Sequence, residues 1–252
     1  MAGHSKFANI KHRKGAQDKK RAKVFSNIAR KIIVAAKAGG GDPETNPSLR
    51  LEVEKAKAVN MPKDVIQRNI DKGTGVGADA ADFVELTYEG YATGGVAVMV
   101  DVLTDNRNRT APEVRKIFEK NGGNMGEPGC VGFMFQTKSV FLVDPAGKSE
   151  DEVMELVMEV EADDMESADG QYMITADYTK FLEIKQALEA AGFGIEVAEI
   201  QKIADTEIPV DDLEQAKKIA GLVEALEDQD DVQAVYTNQN LSDEVSAQLA
   251  EG

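Results

Sequence analysis

VFLV at 140–143, EDEVMELVMEV at 150–160, DMESA at 164–168, YMIT at 172–175, YTKFLEIKQALEA at 178–190 and IEVAEIQKI at 195–203 alternate in hydrophobic period along one stretch of chain. The first is a short apolar run of strand type. The second places Val153, Leu156, Val157 and Val160 on one helical face. Asp169-Gly170 is a hairpin joint between the third and fourth, and Gly192 closes the second helix. The order is β-α-β-β-α-β, so residues 138–204 are expected to form a ferredoxin-like unit.

Working outward, residues 83–91 and 96–103 are rich in β-branched and aromatic residues and read as strands turning at Gly94-Gly95. Thr110-Ala111-Pro112-Glu113 has the pattern of a capping box, predicting a helix from there to Lys120. Residues 131–135 read as another strand. The glycine-rich run 122–129 between them reads as a long mobile connection. These elements are too few to close and cover a sheet. Strand 207–210, helix 213–227 and strand 232–237 supply the missing part. The expected architecture is therefore α+β and multidomain: residues 79–137 and 205–240 form a split domain, and residues 138–204 are inserted into it.

Residues 1–78 differ in kind. A helix is predicted over 17–37, with Phe25, Ile28, Ala29, Ile32 and Ala36 on one stripe. Lys19, Lys20, Lys23, Arg30, Lys31 and Lys37 fall on the opposite side. Asn46-Pro47 opens a second helix as N-cap and first residue, and Pro62 opens a third that ends at Gly73.

Charge separates the same regions. The 252 residues carry a net charge of −16. Residues 1–75 hold 17 Lys and Arg against 7 Asp and Glu, whereas the rest holds 12 against 38. The cations peak in residues 6–37, with 11 against the single Asp18. A basic arm (Lys6, Lys11, His12, Arg13, Lys14), too polar to bury a face and expected to be mobile until bound, precedes the basic helix bearing Lys19, Lys20, Lys23, Arg30 and Lys31. Together they suit a nucleic-acid backbone, where neutralised phosphates release counterions. The acidic remainder would be repelled in most orientations and would turn the basic end toward the ligand. Asn106-Arg107-Asn108-Arg109 adds bidentate side chains fit for phosphates or base edges, with a polar strand-to-helix loop as the competing reading.

Other classes find less support. Two histidines and one cysteine cannot build a zinc site of standard spacing, so no metal and no cofactor is expected. Cys130 reads as a small residue at a strand start, distant in sequence from His4 and His12. The glycine-rich runs 73–77 and 122–129 lack the Lys-Ser/Thr of a phosphate loop and the preceding strand of a dinucleotide fold. No catalytic set assembles, so the chain is not expected to be an enzyme. No apolar run reaches membrane-spanning length, no secretory signal is present, and the basic arm lacks the bulky apolar face of an interfacial helix. These features point to a cytoplasmic protein without a membrane partner.

Longer motifs point to a family. Met1-Ala2-Gly3-His4-Ser5-Lys6 and Asn9-Ile10-Lys11-His12-Arg13-Lys14 resemble the start of the YebC/TACO1 family. The likeness continues through Gly39-Gly40-Gly41-Asp42-Pro43, Asn60-Met61-Pro62-Lys63-Asp64, Lys72-Gly73-Thr74-Gly75, Leu103-Thr104-Asp105-Asn106-Arg107-Asn108-Arg109-Thr110 and Gly122-Gly123-Asn124. Phe7 stands where the family commonly has tryptophan, and Cys130 where it has serine. The resemblance implies a helical domain followed by an α+β domain interrupted by a ferredoxin-like one. It also implies a non-catalytic, DNA-binding transcriptional regulator. An RNA- or ribosome-associated translation factor is the alternative, since a basic arm suits structured RNA as well. Protein partners would meet the acidic domains.

Overall fold

The computed structural model describes residues 21–75, 83–168 and 170–251. Helix α1 (Arg21–Gly39) packs in one cluster with α2 (Pro47–Ala58) and α3 (Lys63–Gly73). Their shared core is Ile28, Ile32 and Ala36 of α1, Leu49 and Val53 of α2, and Ile66 and Ile70 of α3. Two residues set the geometry. Asn46 caps α2 by accepting from the Leu49 amide at 3.1 Å, and its Nδ2 donates to the carbonyls of Ala35 and Gly40 at 2.8 Å each. It thereby satisfies the C-terminal carbonyls of α1 with the N-cap of α2. Gly73 lets α3 touch α1, because a Cβ there would sit 2.4 Å from the Ile33 carbonyl oxygen.

The first sheet has the order β3-β1-β2-β9, built from β1 (Val84–Tyr91), β2 (Ala97–Thr104), β3 (Asn124–Met125) and β9 (Val232–Thr237). β1 and β2 pair antiparallel from Val84↔Thr104 to Tyr91↔Ala97. Gly94 and Gly95 turn between them at φ of 76° and 79°, a conformation that disfavours any side chain. β2 is central and buried on both faces, so its sequence is apolar but for the half-buried Asp101 and the terminal Thr104. Val98, Val100 and Val102 meet Val114 and Phe118 of α4 (Arg107–Lys120) and Ile219 and Leu222 of α7 (Leu213–Asp228).

The second sheet has the order β5-β6-β4-β7 and comprises β4 (Phe135–Asp144), β5 (Asp164–Ala168), β6 (Gln171–Asp177) and β7 (Gly194–Ala204). Every neighbouring pair is antiparallel. Helices α5 (Glu150–Glu159) and α6 (Phe181–Ala190) cover one face around Phe141, Val153, Ile174 and Ile184. This is the expected ferredoxin-like unit, lying in sequence between β2 and the β9 that completes the first sheet. The last pieces are β8 (Ile208–Val210), β10 (Gln239–Leu241) and α8 (Asp243–Glu251).

Several local expectations fail. α4 starts at Arg107, capped by Asn106, whose side chain accepts from the Arg109 amide at 3.2 Å. Thr110 is not a cap: it is fully buried, its hydroxyl drawn to Asp231. The strand expected at 131–135 is a 3-10 turn over Gly132–Met134, followed by one ten-residue strand. Polar Gln136, Thr137 and Lys138 hid the continuity of β4, which pairs with β7 through that stretch. Strand 207–210 does not join the first sheet; β8 pairs in parallel with the three-residue β10.

The glycine-rich connection is fastened, not loose. Glu89, only 9% exposed, accepts from the amides of Gly129 (2.8 Å), Val131 (2.8 Å) and Gly132 (2.6 Å). The Tyr91 hydroxyl donates to the Cys130 carbonyl at 2.9 Å. Cys130 therefore sits in this pinned turn and not at a strand start.

Candidate nucleic-acid interface

On α1, Lys23, Asn27 and Arg30 follow at i, i+4 and i+7, on the side away from the buried stripe. They do not face open solvent. They meet Glu227-Asp228-Gln229-Asp230-Asp231-Val232-Gln233, the exit from α7 into β9. The Lys23 ammonium donates to the Gln229 carbonyl at 2.5 Å and to that of Glu227, a cation at the negative end of a helix. Asn27 donates to the Val232 carbonyl and accepts from the Gln233 side chain, each at 3.3 Å. The Arg30 guanidinium donates to the Asp230 carbonyl, pairs with Asp231 Oδ1 at 3.3 Å and lies 5.8 Å from the Phe83 ring centroid.

Asp231 is the centre of this contact. It is 1% exposed. Its Oδ2 accepts from Arg109 Nη2 at 2.7 Å, from the Thr110 hydroxyl at 2.7 Å and from the Thr104 hydroxyl at 3.1 Å. Burial alone would raise its pKa, but the hydrogen bonds from Arg109, Thr110 and Thr104, with the Arg109 charge, outweigh it and hold the carboxyl below its ordinary range. Arg109 is shifted up in return, chiefly by its hydrogen bond to Asp231. Arg109 also reaches Asp105 at 3.1 Å. One buried carboxylate thus joins α1, the start of α4 and the start of β9.

Of the residues expected to bind nucleic acid, Lys6, Lys11, His12, Arg13, Lys14, Lys19 and Lys20 lie outside the described residues. The structure brings Lys23, Arg30 and Arg109 together around the 227–233 segment, where all three make intramolecular contacts. Lys31 is half-buried on α1. Arg107 is exposed as the first residue of α4 and forms no ion pair among the described residues. Sequence reasoning missed Asp231 and Glu89. Asp231 ends an acidic run that reads as solvated surface. Its one distinguishing signal is the β-branched strand beginning immediately after it.

No group of three or more His, Cys, Asp and Glu side chains among the described residues is arranged to hold a metal ion. Burial, then the charges of Glu89 and Glu127, push the Cys130 thiol up, which keeps it protonated and a poor nucleophile. No helix among the described residues is long and apolar enough to cross a membrane.

Comparison with known proteins bears on both regions. The TACO1/YebC protein N-terminal domain matches residues 5–76, and the TACO1/YebC second and third domain matches residues 83–239. A protein of Fusobacterium nucleatum named as a probable transcriptional regulatory protein is 49% identical over 249 residues, covering 99% of this chain and 100% of the relative. One of the same description from Rubrobacter xylanophilus is 48% identical over 250 residues, again with 99% and 100% covered. A crystal structure of a conserved hypothetical protein from Aquifex aeolicus superposes with a TM-score of 0.80 at 43% identity, covering 89% of this chain and 92% of that one. The helical region, the two sheets and the relatives spanning them agree, and the chain belongs to the TACO1/YebC family.

Proposed function

We propose that the chain is a DNA-binding transcriptional regulator of the cytoplasm, without catalytic activity, whose N-terminal basic residues Lys6, Lys11, His12, Arg13, Lys14, Lys19 and Lys20 grip the sugar-phosphate backbone while Lys23 and Arg30 anchor their helix. The observation that carries this reading is the concentration of 11 Lys and Arg against one Asp in residues 6–37 of a chain with net charge −16. Such a cluster is an electrostatic footprint for a polyanion, and the acidic sheets turn it outward by repulsion from phosphate. The names of the relatives, probable transcriptional regulatory proteins, support regulation as the role. The acidic surfaces are left for protein partners.

Crosslinking the protein in cells and sequencing the bound DNA and RNA tests this directly. Enrichment of chromosomal promoter regions is the expected result. Enrichment of ribosomal RNA with no DNA signal would replace the transcriptional reading with a translational one.

A further inference from the structure

After residue 76 the acidic majority neutralises most of the lysines. Lys138, Lys180, Lys185, Lys202 and Lys217 each face a carboxylate. Helix α4 breaks the pattern. Arg107, Arg115, Lys116 and Lys120 are all exposed, and none forms an ion pair among the described residues. The helix carries five basic residues and two acidic ones, Glu113 and Glu119, in a region that is otherwise strongly acidic.

The arrangement is ordered. With Thr110, Val114 and Phe118 buried, Arg109, Glu113, Lys116 and Lys120 fall at i, i+4, i+7 and i+11 on one outer stripe, where Glu113 accepts from the Gln229 side chain at 3.0 Å, and Arg115 flanks it. Lys116 and Lys120 are one turn apart, about 6 Å along the axis, close to two phosphate rises of about 3.4 Å on one strand of a duplex. At its start α4 shares Asp231 with Arg30 of α1, so the two cationic helices are fixed to one another through a buried carboxylate.

We propose that the outer face of α4, through Arg115, Lys116 and Lys120, is a second phosphate-contacting surface for duplex DNA. It would act with the N-terminal basic segment on one duplex. A rigid helix face with cations in an ordered row suits a stiff, evenly charged rod. A single strand would be expected to call for exposed aromatic side chains on which bases stack, and Phe118, the aromatic residue of α4, is fully buried. The proposal rests on the DNA-binding reading above.

The test compares the full-length parent with Arg115→Gln/Lys116→Gln/Lys120→Gln and with Lys11→Glu/Arg13→Glu/Lys14→Glu/Lys20→Glu. The probe is a labelled duplex of about 30 base pairs, titrated between about 50 and 200 mM salt. All three glutamine positions are exposed, so thermal unfolding should match the parent. The glutamine variant is expected to bind at least about tenfold more weakly at 100 mM salt, with the slope of log affinity against log salt shallower by about 2 to 3. Parent-like affinity and slope in that variant, with binding lost in the glutamate variant, would overturn the α4 surface and leave the DNA reading standing. A parent that captures no duplex would overturn both. Weaker capture of single-stranded RNA or of polyglutamate, with duplex binding intact, would assign the face to that ligand and overturn the proposal.

Discussion

Asp231→Ala is expected to lower the stability of the chain by about 2–4 kcal/mol. The side chain is almost wholly buried and satisfies four groups: Arg109, Arg30, Thr104 and Thr110. The charge pairs alone do not set the size of the effect. The Arg109 side chain is 45% exposed, so water takes over much of its solvation when the carboxylate is gone. The Thr104 and Thr110 hydroxyls are fully buried and would keep each other at 2.8 Å, with the Asn106 amide donating to Thr104 at 2.9 Å and the Asn106 carbonyl accepting from Thr110 at 3.0 Å, but would lose their charged acceptor. Asp231→Asn keeps one acceptor and the shape, and should cost about half as much. Chemical denaturation at neutral pH measures both. Hydrogen exchange on α1 adds a local readout, because Arg30 loses its ion-pair partner and keeps only the Asp230 carbonyl and the Phe83 ring, so α1 should open more often. Unchanged stability in Asp231→Ala, or unchanged protection of α1, would show that Asp231 does not fasten the helical region.

Glu89→Ala should cost a similar amount, about 2–4 kcal/mol, through the backbone. The amides of Gly129, Val131 and Gly132 would lose their acceptor, and Val131 is fully buried. Glu89→Gln gains little, since its NH2 group would point at backbone donors. Burial acts to raise the pKa of Glu89, but the three amides and the Lys202 charge outweigh it, so the folded value lies below the unfolded one. The sign follows: the contribution is complete above the unfolded pKa of about 4.3 and disappears as pH falls through the folded value. The stability gap between parent and Glu89→Gln should therefore be full at neutral pH and shrink below about pH 4. A gap independent of pH down to acid unfolding would rule out the carboxylate as the pin.

How much of this was legible in the sequence depends on what each element uses for its definition. The ferredoxin-like unit was readable because its periods are clean: β4 and α5 contrast Phe141 and Leu142 with Val153 and Val157 at helical spacing. The helical region was readable for the same reason, with Asn46 marking the start of α2 and Gly73 the end of α3. Elements defined by a distant partner were not. β10 is three residues long and exists by pairing with β8. β4 runs through polar residues because β7 supplies its ladder. Thr110 matched a capping pattern locally, and a buried carboxylate more than a hundred residues later recruited it instead. The site divides similarly. The cationic segment was visible from composition alone, whereas the engagement of Lys23 and Arg30 by residues 227–231 depends on a tertiary contact that no local pattern encodes.

That contact also sharpens how the central claim is tested. Lys23 holds the end of α7, so reversing its charge would confound binding with docking. The four residues Lys11, Arg13, Lys14 and Lys20 are the better choice, all reversed to Glu in the full chain, with duplex DNA affinity followed against salt. The account predicts a folded protein whose affinity falls at least about a hundredfold at 100 mM salt and whose salt slope flattens by about 3 or more. A folded variant that binds with the affinity and the slope of the parent would contradict it.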